Sequence, residues 1–377
     1  MRRGHAVASG ATKSERRTKM AEKWIYWLRE LGTEHNDIVG KKCANLGELT
    51  KAGFHVPPGF ALGVGAYERF MKETDVTDRL LAFLKTFKAD PNNVSDTLKF
   101  ETASDELRKI AESTRMPPDM EQAVKDYYAE LCKVAGKDNL FVATRSAGPS
   151  SHPGQYETYL HVSGSDEVVR NVQRVWSSTF NTRSIIARAR LGLPLHYDAI
   201  GVAVLTMVDA KAAGVIFTVN PVNGDESKVA IEASFGFGEA VVSGNVTPDR
   251  YLVDKITYEI DEQVISDKGA EFVYNPATRE MEYKELAPDR RKLPCLEDLE
   301  VIELTKIAKK VEAHFGCPQD IEYSISRSLE FPESIFLVQA RPESVWGKKK
   351  KESVLGKKTG WQLLFEKATT PVKLKTD

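Results

Sequence analysis

Asp320-Ile321-Glu322-Tyr323-Ser324-Ile325 and Ile335-Phe336-Leu337-Val338-Gln339-Ala340 read as two short strands separated by a polar turn. Side chains on a strand point to opposite faces in turn. Asp320 and Glu322 therefore share one face of the first strand, and Gln339 and Arg341 share one face of the second. If the strands pair antiparallel, carboxylate, amide oxygen and guanidinium converge on one spot. Hard oxygen donors suit Mg²⁺, which keeps several waters and shares them with nucleotide phosphates, while an arginine neutralises phosphate charge. An exposed edge with ordinary charges at alternate positions would give the same pattern, so the rest of the chain has to decide.

Working back towards the N-terminus, Leu296 to Phe315 carries Leu299, Ile302, Leu304, Ile307 and Val311 and reads as a helix. Before it come β-branched runs, Leu140 to Thr144, Ile200 to Val208, Gly214 to Val219, Val229 to Ala233 and Tyr251 to Val253, interrupted by a long helix over roughly Asp166 to Leu191. Residues 66–135 are mostly helical, with Pro91 and Pro117-Pro118 as breaks. A further helix is expected around Cys43, Ala44, Leu46 and Leu49, ending at Gly53 and placing Lys41 and Lys42 in its first turn. The mixture makes the fold α+β.

Three more segments could carry chemistry. Helix N-termini with nearby ammonium groups attract phosphate, which suits Lys41 and Lys42, although a solvated lysine would look alike. Ala143-Thr144-Arg145-Ser146-Ala147-Gly148 runs from a strand into a loop of small residues reaching His152 and Gly154. Gly148 and Gly154 let backbone N–H groups approach a phosphate, and Arg145 offers a planar fork for two of its oxygens. A polar hairpin loop is the alternative. Gly236-Phe237-Gly238-Glu239, followed by Ser243-Gly244 and Pro248-Asp249, suggests a tight turn presenting a carboxylate to a ribose or a metal.

The chain of 377 residues has a net charge of −1, so an anion has to be bound locally and the whole-molecule field does not point to nucleic acid. Cys43, Cys132, Cys295 and Cys317 are widely spaced, with no CxxC pair, which predicts neither zinc nor disulfides and fits a reducing cytoplasm. No apolar run approaches the about 18 residues that span a bilayer. Residues 1–22 read as a basic flexible segment and residues 347–377 as a lysine-rich linker with a short amphipathic tail.

In order, Val39-Gly40 through Leu49, Val56-Pro57-Pro58-Gly59-Phe60, Arg145-Ser146, Gly214 through Pro221, Glu232 through Gly244, Pro248-Asp249, Pro318 through Glu322 and Gln339-Ala340-Arg341-Pro342 resemble the nucleotide-binding region shared by phosphoenolpyruvate synthase and pyruvate phosphate dikinase. The resemblance covers roughly residues 36–346. It implies an ATP-grasp fold of the dikinase type, with residues 23–205 as one subdomain carrying a helical insert and 206–346 as the other, enclosing a nucleotide cleft. By the same resemblance Lys42, Arg145, Arg183 and Arg341 contact the ATP phosphates, with Lys42, Arg145 and Arg341 catalytic. Met207 and Val208 form the strand whose backbone reads adenine, Glu239 lies near the ribose, and Glu322 and Gln339 hold Mg²⁺ with Asp320 beside them. Departures fall at Lys41, where glycine is usual, at Leu205, where glutamine is common, and at Pro149, where pyruvate phosphate dikinases have a second arginine.

The implied reaction cleaves ATP to AMP and phosphate and passes the β-phosphoryl group to a histidine on a partner subunit. None of the chain's 7 histidines sits in a carrier motif. The Ser151-His152-Pro153-Gly154-Gln155-Tyr156-Glu157-Thr158 loop looks similar to that of the smaller, ATP-binding subunit of phenylphosphate synthase, which implies phenol, bound on the partner, as final acceptor. A split phosphoenolpyruvate synthase, a rifampin-phosphotransferase-like enzyme and a non-catalytic ATP sensor are the competing readings. No membrane or nucleic-acid partner is expected.

Overall fold

The computed structural model describes residues 23–148 and 156–346. Helices and antiparallel sheets are mixed throughout. The first sheet has the order β1-β2-β5-β3-β4, built from Ile25–Trp27, Gly59–Leu62, Val142–Ala147, Thr158–Val162 and Gly201–Thr206 taken as β1 to β5 in chain order. The second has the order β13-β12-β6-β7-β8-β9, from β6 (Ala210–Phe217), β7 (Lys228–Phe235), β8 (Asp249–Asp254), β9 (Ile260–Val264), β12 (Gln319–Ser326) and β13 (Ile335–Pro342). A separate hairpin pairs β10 (Ala270–Asn275) with β11 (Glu280–Glu285).

Helix α1 (Asn36–Lys51) buries Cys43, Ala44, Leu46 and Leu49, the face its apolar spacing predicts. Gly40 interrupts it at φ 79°. A Cβ there would meet the Ala147 carbonyl carbon at 2.6 Å, so only glycine permits this approach to the end of β3. The helix restarts at Lys41, which leaves Lys41 and Lys42 in a new N-terminal turn, as expected.

Helices α2 to α5 (Val64–Glu73, Val76–Thr86, Thr97–Ser113 and Pro118–Val134) form the helical insert. They bury Phe70, Phe100 and Leu107 in one core with Trp176 of α6 (Ser165–Ser177). The single helix read over Asp166 to Leu191 is in fact two. A turn of 3-10 helix at Ser178–Phe180 follows α6, and Asn181 then starts α7 (Thr182–Arg190) by accepting the Ser184 N–H at 2.9 Å. An asparagine that caps a helix start stops the preceding helix from running through it.

A second core joins the second sheet to α9 (Asp298–Phe315) through Ile321, Leu304 and Val311, and also takes in Leu46 and Leu49 of α1. Thus α1, early in the sequence, packs with the last strands. The two sheets are joined where β5 passes into β6 through Met207–Asp209. Among the described residues no helix is long and apolar enough to cross a membrane.

Candidate functional site

The register of β12 and β13 sets the site. They pair antiparallel, with Asp320 opposite Arg341 and Glu322 opposite Gln339, so the convergence read from alternation is real. The pairing shifts between Glu322 and Tyr323, and such a bulge bends a strand and re-aims its side chains. Arg341 places Nε 2.9 Å and Nη2 2.7 Å from Asp320 Oδ2. Burial raises the Asp320 carboxyl pKa in spite of that partner.

Arg145 reaches across from β3 in the first sheet. Its Nη2 donates to Glu322 Oε2 at 2.9 Å and to Gln339 Oε1 at 3.4 Å, and Nη1 donates to the Val338 carbonyl at 3.2 Å. Burial alone would raise the Glu322 carboxyl, but Arg145, Lys42 and Arg341 hold it below its ordinary value. Lys42 completes the group from α1. Burial, then the Arg145 guanidinium, push its ammonium down to about 8 against the pull of Glu322. Lys42, Arg145, Arg341, Glu322 and Gln339, from both sheets and one helix, thus line a cleft of about 1350 Å³, with Asp320 paired to Arg341 behind them.

Beside this group the cleft adjoins an apolar pocket lined by Ala143, Leu160, Leu205, Met207, Phe237 and Val338, with Arg145 and Glu322 on the wall that the two share. Glu239 lines both parts, opening the short helix α8 (Glu239–Val242) in place of the expected turn. Met207 and Val208 line the pocket but are not a strand; they form the crossover between sheets, and the Met207 N–H is held by the Phe141 carbonyl at 2.9 Å. Gly148 lies on the cleft wall, its carbonyl accepting the Lys41 N–H at 3.4 Å. Arg183 is exposed in the first turn of α7 and is not among the described residues lining the cleft. Gly154 and His152 lie outside the described residues.

The donor set fits a hard divalent cation. Glu322 and Gln339 offer a carboxylate and an amide oxygen, and the Arg145 guanidinium already shares its charge between them. Among the described residues no group of three or more His, Cys, Asp or Glu could hold a metal. Two protein oxygens suit Mg²⁺, which takes its remaining ligands from water and phosphates.

Residues 36–359 match the family described as pyruvate phosphate dikinase, AMP/ATP-binding domain. The chain belongs to this family. A probable phosphoenolpyruvate synthase of Staphylothermus marinus is 37% identical over 367 residues, covering 89% of this chain and 43% of the relative. The phosphoenolpyruvate synthase of Aeropyrum pernix is 38% identical over 363 residues, covering 89% and 44%. A probable phosphoenolpyruvate synthase of Methanocaldococcus jannaschii is 38% identical over 336 residues, covering 88% and 27%. The chain therefore spans less than half the length of these relatives. The cleft residues named above from Lys42 to Arg341 all lie within the matched span.

Pro248-Asp249, which matched the family by sequence, turns out to brace the domain. Asp249 is buried and pairs with buried Lys268, while its two oxygens accept the N–H groups of Ser266 and Cys295, both at distances of 2.8–2.9 Å. Nothing in the local pattern marked Lys268, because a lysine two places before a strand ordinarily stays in water. Asn45 likewise carries no local signal, being one polar residue on an apolar helix face.

Proposed function

We propose that this chain is the ATP-binding, phosphotransfer-initiating part of a phosphoenolpyruvate-synthase-type dikinase, with an ATP-grasp arrangement of residues 23–205 and 206–346 around the cleft. The observation that carries this reading is the convergence of Lys42, Arg145, Arg341, Glu322 and Gln339 in a cleft that adjoins an apolar pocket, with Arg145 and Glu322 lining both. A nucleotide sensor needs base and ribose contacts; this many charges beside the apolar pocket serve phosphate chemistry. The base enters the apolar pocket against Met207 and Val208, and Glu239 faces the ribose. Lys42, Arg145 and Arg341 bind the phosphates, Arg145 exchanging its hold on Glu322 and Gln339 for phosphate oxygens. Mg²⁺, held by Glu322 and Gln339, supplies charge neutralisation there.

In this reading the β-phosphoryl group moves to a histidine carried outside the cleft, AMP remains, and the γ-phosphoryl group leaves to water as inorganic phosphate. The names of the relatives favour pyruvate as the final acceptor. The likeness of the Ser151–Thr158 loop to phenylphosphate synthase supports phenol as the second reading. Free thiols at Cys43, Cys132, Cys295 and Cys317 fit a cytoplasmic setting. The deciding experiment combines the chain with ATP, Mg²⁺ and a histidine-carrying partner, and follows AMP with pyruvate or with phenol present. Pyruvate-dependent AMP formation supports the first acceptor and phenol-dependent formation the second. ADP as the product would refute the dikinase reading.

A further inference from the structure

β13 is an edge strand of the second sheet. An edge leaves one row of backbone groups without a strand partner, and here residues of the N-terminal part cover it. The Leu337 N–H donates to the His55 carbonyl at 2.8 Å, and His55 Nδ1 lies 3.1 Å from the Ile335 carbonyl. Towards the cleft, the buried side chain of Asn45 donates from Nδ2 to the Ala340 carbonyl at 2.9 Å. Ala340 stands between Gln339 and Arg341, and Asn45 stands one turn after Lys41 and Lys42 on α1.

We infer that Asn45 is a positioning residue whose amide fixes the Lys42-bearing turn of α1 against the Gln339–Arg341 segment of β13. The inference rests on the nucleotide reading proposed above. α1 already shares a core with the second sheet, but apolar packing is non-directional and tolerates sliding along the strand. A directed hydrogen bond to the carbonyl between the two site residues removes that freedom. Lys42, Gln339 and Arg341 are then preassembled on one body, and Arg145 approaches them from the first sheet. The amide also has to find its partner: a buried carbonyl left without one costs free energy, so an apolar residue at this position would loosen the segment.

The test compares binding of Mg·ATP with binding of adenosine, which meets only the base and ribose parts of the cleft, by calorimetry on the full chain. Asn45→Ala removes the amide, and Asn45→Asp keeps the size but replaces the donor with an acceptor. His55→Ala, which touches β13 at its far end, is the control. Both Asn45 variants are expected to weaken Mg·ATP by about tenfold while adenosine binds as before. His55→Ala is expected to leave the ratio of the two affinities unchanged, whatever it does to the unfolding temperature. An unchanged ratio in both Asn45 variants, even with a lower unfolding temperature, would reduce Asn45 to a structural role and overturn the inference. The same loss in His55→Ala would also overturn it, because the effect would then belong to the whole edge. A wild-type chain that binds adenosine as well as Mg·ATP would overturn the nucleotide reading itself, and the inference with it.

Discussion

Lys42 offers a quantitative handle on the cleft, because burial and the Arg145 guanidinium push its ammonium down to about 8 from an ordinary 10.5. Placing several phosphate charges beside it reverses the balance and returns the ammonium to its charged form. Binding of Mg·ATP should therefore draw a proton from solution. With the free group at about 8 and the bound group at its ordinary value or above, uptake is about 0.1 proton at pH 7, about 0.5 at pH 8 and about 0.9 at pH 9. Affinity should fall with rising pH at the matching slope. Calorimetry at each pH, in two buffers of different ionisation enthalpy, measures the uptake directly, and the difference between wild type and Lys42→Ala isolates this side chain. Equal uptake by the two proteins at pH 9 would show that Lys42 does not recharge beside bound phosphate. In the ligand-free chain the sign is separately fixed. Between about pH 8 and about pH 10.5 the unfolded chain holds a proton that the folded one has released, so this group's contribution makes stability rise with pH across that window.

Two further outcomes follow from the geometry. Glu322→Ala or Gln339→Ala should slow Mg²⁺-dependent AMP formation, measured with the partner present, by about a hundredfold, as for loss of one contact to transition-state charge, with adenosine binding unaffected; near-normal turnover in both variants would remove the metal assignment. Lys268→Met should cost about 3 kcal/mol or more in urea unfolding, because it strands the buried Asp249 carboxylate. An unchanged midpoint would show that Asp249 is served by its two backbone N–H donors alone.

What could be read in the sequence was whatever depends on near neighbours in the chain. Asp320, Glu322, Gln339 and Arg341 fall opposite one another as alternation predicts, because alternation is local and only the loop at 327–334 joins the two strands, leaving little choice of partner. The turn carrying Lys42 was legible for the same reason, since Gly40 and the apolar face of α1 lie in one stretch. Contacts between distant segments were not legible. That Arg145 spans Glu322 and Gln339 depends on how the first sheet meets the second. The pairing of Asp249 with Lys268 joins β8 to the segment leading into the β10–β11 hairpin, and the hairpin itself was not foreseen. Met207 and Val208 were expected to continue a strand because the apolar run continues through them. The chain instead leaves the first sheet at Thr206 and enters the second at Ala210. Arg183 was carried over by resemblance alone, and its position on the exposed start of α7 depends on a helix break that apolar spacing does not reveal.

We propose that this cleft splits ATP so that its middle phosphoryl group travels. The most direct test of this uses ATP labelled at either the β- or the γ-phosphorus, with Mg²⁺, the chain and a candidate histidine-carrying protein, followed by alkaline gel separation that preserves acid-labile phosphohistidine. β-Label is expected on a histidine of that protein and γ-label in inorganic phosphate, with AMP as the nucleotide left behind. Label from the γ-position on the carrier, with ADP left in solution, would contradict it.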